Sequence, residues 1–167
     1  MNRKNLIKEL TNQSFWHKKL LDHKENHTTK KVELLRAYMN LYIQVQANRK
    51  GEIRNIDFID AMSNAGIYRD GDFCTSMEIL NVFLENAYKY PEIHFTLYVN
   101  DINPKRIECT NWLYQKQMET IEDKICSRIH LKSFCMDVNK FLSEGKQILP
   151  ASNNRAQVIW LDPYNFG

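Results

Sequence analysis

Glycine is scarce in this chain, with five in 167 residues, and none of the five falls into GxGxxG or GxxxxGK[ST]. Those are the spacings that let a backbone close on a pyrophosphate or cradle a phosphate. A dinucleotide fingerprint and a P-loop are therefore both missing, and a nicotinamide-dependent oxidoreductase loses its usual sequence support. No apolar stretch approaches the roughly 18 residues needed to span a bilayer. The opening MNRKNLIKELTNQSFWHKK has no apolar centre of the signal-peptide kind. The expectation is a cytoplasmic chain with no membrane segment. The four cysteines, Cys74, Cys109, Cys126 and Cys135, are scattered, with no CxxC pair and no close Cys/His cluster. Zinc-site spacing is thus absent, and buried structural thiols in a reducing compartment are expected, with no metal site. No Ser/His/Asp or Cys/His arrangement has a recognisable nucleophile context.

The remaining composition is that of an ordinary globular domain. Hydrophobic residues make up 43% and charged residues 26%, and the length suits one domain with a real core. Net charge is only +3, but it is unevenly placed. Residues 1–50 hold eleven Lys/Arg against four Asp/Glu, and the rest holds twelve against sixteen. A basic N-terminal segment on a mildly acidic body could touch a polyanion such as nucleic acid, or be a solvated helix face.

Periodicity divides the chain into a helical extension, 1–50, and a body, 51–167. In HTTKKVELLRAYMNLYIQVQ, apolar residues recur at Val32, Leu34/Leu35, Tyr38/Met39, Leu41/Tyr42 and Val45. That period predicts a helix over about 29–47 with one broad buried face, after a shorter basic helix within 3–23. Apolar runs in IRNIDFID, IHFTLYVND, RIHLKSFCMD and AQVIWLDPYNFG read as strands. Between them SMEILNVFLENAYKY, NPKRIECTNWLYQKQM and VNKFLSEGKQIL read as helices, the second begun by Asn103-Pro104 and the third closed by Pro150. Four β units alternating with helices, the strands apolar rather than alternating, predict a Rossmann-like α/β fold: a parallel sheet with helices on both faces and a helical N-terminal extension.

In such sheets ligands bind beyond the carboxyl ends of the strands, near the point where strand order reverses. Each predicted strand ends near an acid: Asp60, then Asn100-Asp101, Asp137 and Asp162. One such acid alone is usually a cap or a turn residue. Four together favour a ligand with hydroxyl or amino hydrogens to donate and a positive centre over a bare phosphate. S-adenosylmethionine has all of these features.

The helix HTTKKVELLRAYM, the stretch IDFIDAMSNAGIYRDG with its following CTSMEIL, and WLDPYNFG together resemble the three-Cys-motif partner (TcmP) family of class I S-adenosylmethionine-dependent methyltransferases. The likeness covers the chain from about residue 27 onward. It implies that Asp60 and the backbone of Met62, Ser63, Asn64 and Gly66 cradle the methionine part of the cofactor. It implies that Asp101 or Asn100 receives the ribose hydroxyls and that Asp137 lies near the adenine amino group. Asp162, Pro163 and Tyr164 resemble the Asp-Pro-Pro-Tyr motif of amino-group methyltransferases, where the acid and following carbonyl hold the target amine and the ring stacks on a base. Asn64 stands where that pattern has glycine, the second proline is absent, and the sequence ends directly after this motif. A class I sheet has about seven strands, so a partner chain completing the fold is one expectation. A non-catalytic, methyltransferase-like module that binds protein or nucleic acid is the alternative to an enzyme acting on a nucleic-acid base.

Three further features carry smaller expectations. His17, His23 and His27 are read as helix-face or cap residues rather than ligands. Phe15 and Trp16, beside Lys18 and Lys19, are read as an aromatic anchor on the domain, with nucleic-acid stacking as the other reading. Tyr68, Arg69 and Asp70 either close over the cofactor or form a plain turn.

Overall fold

The computed structural model describes residues 3–25, 28–49 and 51–162. Two helices, α1 (Arg3–Leu10) and α2 (Thr28–Ala47), precede β1 (Asn55–Asp60). Then follow α3 (Thr75–Lys89), β2 (His94–Asn100), α4 (Pro104–Met118), α5 (Asp123–Cys126), β3 (Ile129–Phe134), α6 (Val138–Ser143), α7 (Gly145–Ile148) and β4 (Arg155–Trp160). The strands form one sheet in the order β3-β2-β1-β4, and every neighbouring pair is parallel. The expected Rossmann-like α/β fold is therefore present. The chain steps outward from β1 to β3, then crosses back to lay β4 on the other side of β1. The reversal of strand order thus falls between the carboxyl ends of β1 and β4.

The apolar strands are covered on both faces, but unequally. Ile56 and Phe58 of β1 and Phe95, Leu97 and Val99 of β2 share one large core with Leu35, Met39 and Ile43 of α2 and with α3, α4 and α5. The opposite face carries a small cluster in which Ile59 and Tyr98 meet Phe141 of α6. On that second face Asp57, fully buried, accepts from Arg155 Nη1 at 2.6 Å and Gln157 Nε2 at 2.9 Å.

Local chemistry sets the helix boundaries. Asn103 caps α4 by accepting from the Lys105 amide at 3.0 Å, with Pro104 in the first turn, where its missing N–H costs nothing. Arg128 closes the other end of the neighbouring α3, donating to the carbonyls of Ala87, Tyr90 and Ile93. The predicted single helix over 138–149 is two, because the chain leaves helical geometry at Glu144 before Gly145, a poor helix former. α5 is too short for any period to reveal it. α1 stops at Leu10, and turns over residues 11–20 take the place of a longer helix.

The N-terminal residues are part of the main core, with Leu6, Leu10, Phe15, Leu20 and Leu21 all buried in it and Trp16 packed against it. Phe15 and Trp16 are thus an anchor on the domain. One expectation is corrected here. α2 does not bury one broad face: Leu35, Met39 and Ile43 face the core, whereas Leu34, Tyr38, Leu41 and Val45 are exposed. Among the described residues, β4 is an edge strand of the sheet. No helix among the described residues is long and apolar enough to cross a membrane.

Candidate functional site

Parallel pairing brings the ends of β1, β2 and β4 to one rim of the sheet, with Asp60 opposite Val99 on one side and Trp160 on the other. Asp60 is buried there, and its Oδ1 accepts from the Met62 amide at 3.3 Å. Burial pushes its carboxyl up to about 7, with the Met62 amide opposing the rise, the Asp162 and Asp101 carboxylates adding to it, and Lys31 opposing it. An acid held near neutrality at the switch point of a parallel sheet, among two further acids, is poorly suited to phosphate and well suited to a cationic group.

The loop after β1 is shaped from its own residues and from the N-terminal segment. Ser63 donates its amide to the Asn100 carbonyl at 2.8 Å. Asn64 has φ +60, and it is the one non-glycine with positive φ among the described residues. Its Oδ1 accepts from the Ala65 amide at 2.6 Å, and its Nδ2 donates to Asp22 Oδ2 at 2.7 Å. Asparagine therefore takes the left-handed conformation that glycine would otherwise supply, with its side chain drawn toward Asp22. Asp22 also accepts from Arg106 Nη2 at 2.8 Å, so one carboxylate links the N-terminal segment, the loop and α4. Gly66 has φ +80, and a Cβ there would stand 3.0 Å from both Leu113 Cδ1 and Met77 Cγ. Its glycine thus serves close packing of the loop on α3 and α4.

Residues 68–71 form a turn, closed by the Gly71 amide on the Tyr68 carbonyl at 3.0 Å. Tyr68 is buried. Arg69 reaches back to the N-terminal segment, donating to the Leu21 carbonyl at 2.7 Å and lying 2.9 Å from His23 Nε2. These residues bind the loop to the chain's start, which supports the turn reading over a closing flap. His23 belongs to this clasp and to no helix. His27 lies outside the described residues.

A cavity of about 220 Å³ opens beside the loop, lined by Ala61, Met62, Asn100, Asp101, Ile102, Arg106, Met136, Asp137 and Val138. The residues expected to meet ribose and adenine, Asp101 and Asp137, thus share one cavity with Met62 of the loop. Their free capacity differs. Asn100 is fully engaged as a clip between strand ends: its Nδ2 donates to the Ala61 and Met136 carbonyls, and its Oδ1 accepts from the Met136 amide. Asp101 uses Oδ1 for the Asn103 amide at 2.8 Å, while Oδ2 stands 3.8 Å from Arg106. Asp137 caps α6 through Oδ1, accepting from the amides of Asn139 and Lys140. Among the described residues, one oxygen on each acid has no close backbone donor. No protein-family model matches the chain, and comparison with curated proteins gives no match.

At the fourth strand end, Asp162 is ion-paired with Lys31 of α2. Pro163 and Tyr164 lie outside the described residues. Lys31 and Asp22 are site residues that sequence reasoning missed. Their partners are 131 and 42 residues away, and no local period signals a contact of that kind. Among the cysteines, Cys74 and Cys109 are buried and Cys135 is exposed, and all four are free thiols. Burial pushes the Cys109 thiol up to about 12, which makes it inert as a nucleophile at neutral pH. Among the described residues no group of three or more His, Cys, Asp or Glu is placed to hold a metal.

Proposed function

We propose that the chain is an S-adenosylmethionine-dependent methyltransferase of the class I type, acting on an amino nitrogen of a nucleic-acid base. The observation that carries this reading is the acidic rim at the switch point, where the Asp162 and Asp101 carboxylates add to the upward push of burial on the Asp60 carboxyl and Asp101 and Asp137 share the adjoining cavity. A ligand with ribose hydroxyls, an adenine amino group and a sulfonium centre complements that rim, and a polyphosphate does not.

The residues fit such a cofactor in chemical type. Asp101 would accept from ribose hydroxyls through its less committed oxygen, Met62 and Ile102 would supply apolar contact to the base, and Asp137 would face its amino group. When bound, the cofactor supplies an electrophilic methyl group. The chain's own contribution is positioning and electrostatics: Asp60 offsets positive charge, and Asp162 orients an acceptor N–H. The Lys31 ammonium must turn away from Asp162 for that acid to accept from a substrate amine. A base held within a duplex would have to be extruded to reach this rim.

Titration calorimetry of the folded chain with S-adenosylmethionine tests the reading. Saturable binding that is lost in Asp101→Ala and weakened in Asp60→Ala is expected. A folded sample that shows no heat at millimolar cofactor would refute it. Two observations favour the second reading, a non-catalytic module that binds protein or nucleic acid: the Lys31–Asp162 pair occupies the proposed acceptor position, and the Asn100 amide is fully committed. Binding of oligonucleotide without cofactor would support that alternative.

A further inference from the structure

Arg106 stands on the wall of the cavity beside Asp101, between two acids that it does not serve equally. Its Nη2 donates to Asp22 Oδ1 at 2.8 Å, whereas its Nη1 stops 3.8 Å from Asp101 Oδ2. The first contact is a charge-assisted hydrogen bond, and the second lies beyond hydrogen-bond reach. Among the described residues the guanidinium makes no other hydrogen bond, and its Nε is buried without a partner. A planar fork of N–H donors with a single bond, on a side chain only 22% exposed, is held short of an acceptor it could take.

That acceptor is Asp101. Its Oδ1 is taken by the Asn103 amide at 2.8 Å, so Oδ2 is the oxygen that a ligand in the cavity would use. Arg106 faces the same oxygen. The Asp101 side chain is 10% exposed, and a guanidinium–carboxylate pair shielded from water to that degree is stronger than one at the surface. The anchoring of Asp22 keeps the pair open. Its Oδ2 accepts from Asn64 Nδ2 at 2.7 Å, and Asn64 is fixed in turn by its left-handed backbone and its bond to the Ala65 amide. Asp22 therefore cannot follow Arg106 toward the cavity, and Arg106 stays on the outer acid.

We infer that Asp22 is a positioning residue of this site: it restrains Arg106 and so keeps Asp101 Oδ2 available to a hydroxyl-bearing ligand. The amino-terminal segment thereby controls a cavity none of whose described lining residues it supplies. The inference rests on the reading of that cavity as the nucleoside end of the cofactor site. Removal of Asp22 turns Arg106 into a competitor of the ligand, which the loss of a purely structural clasp would not do.

A crystal structure of unliganded Asp22→Ala tests this, together with calorimetry of S-adenosylmethionine on Asp22→Ala, Arg106→Met and the double variant. In Asp22→Ala the distance from Arg106 Nη1 to Asp101 Oδ2 should contract to about 3.2 Å or less. Affinity should fall about tenfold or more, the size of effect expected for a hydrogen bond to a charged group. Adding Arg106→Met should return affinity to within about threefold of the wild type, because the competitor is gone. A double variant that binds no better than Asp22→Ala is the mark of a structural clasp alone, and it overturns the inference. So does an Arg106 that keeps its distance from Asp101 in Asp22→Ala. Asp22→Asn, with the shape kept and the charge removed, carries the same comparison should the alanine variant fail to fold. A wild type that binds no cofactor refutes the proposed function, and the Arg106–Asp101 distance in the variant still decides this inference.

Discussion

Replacing Asp60 by asparagine should make the protein more stable at alkaline pH and leave it nearly unchanged at acidic pH. The side chain keeps its shape and its Oδ1 acceptor for the Met62 amide, and it loses only the ability to ionise. In the folded chain burial holds the Asp60 carboxyl at about 7, against 3.8 for an ordinary aspartate. The folded state therefore keeps this proton more tightly than the unfolded state does. The associated stability is complete below pH 3.8 and is lost as pH rises through about 7. At roughly 1.4 kcal/mol per pH unit, that interval corresponds to about 4 kcal/mol. Urea unfolding followed by circular dichroism, on both proteins between about pH 4 and about pH 8, measures it. Every other titrating group is common to the two proteins, so the difference between them isolates Asp60. The gap should widen with pH in favour of Asp60→Asn, and a gap that stays flat within about 1 kcal/mol would refute the burial argument. A residue that costs the fold this much at neutral pH is the kind expected where a ligand later compensates it.

Further outcomes follow from the same geometry. Gly66→Ala should cost about 2–4 kcal/mol in urea unfolding, because a side chain must adopt a left-handed φ and press on Leu113 and Met77. Asp22→Ala should cost about 2 kcal/mol, because it leaves Asn64 and Arg106 without their shared acceptor. Amide exchange across 62–70 should accelerate in that variant, and exchange confined to residues near 22 would argue against the clasp. Arg155→Met should cost about 3–5 kcal/mol by stranding the buried Asp57 carboxylate, whereas Arg155→Met with Asp57→Leu should recover most of that loss.

The fold was readable in the sequence because apolar runs of strand length alternate with helical periods, and both signals are local. β1 to β4, α3 and α4 all lie where those periods place them, and Asn103 and Pro104 mark the start of α4 by capping chemistry alone. The stripe on α2 was misread for a physical reason. Leu34 and Leu41 have the same hydrophobicity as the buried Leu35, and a period cannot tell a face turned to the core from one turned to solvent. The rim of acids was legible as a pattern of strand ends. The state of each acid was not: the committed amide of Asn100, the capping role of Asp137, the burial of Asp60 and the pairing of Asp162 with Lys31 all depend on which loops the sheet brings together.

The clasp around Asn64 has a consequence for how the chain is made. Asp22, Asn64 and Arg106 meet only when residues separated by 42 and 84 positions are all available. During synthesis Asp22 emerges first and must wait for the first turn of α4 before its second partner arrives. The loop therefore takes its final shape late, and a fragment ending before α4 would have the sequence of the loop without the contacts that fix it. A deletion at the amino terminus that reaches Asp22 is for the same reason a change to the loop, although the two are far apart in the sequence.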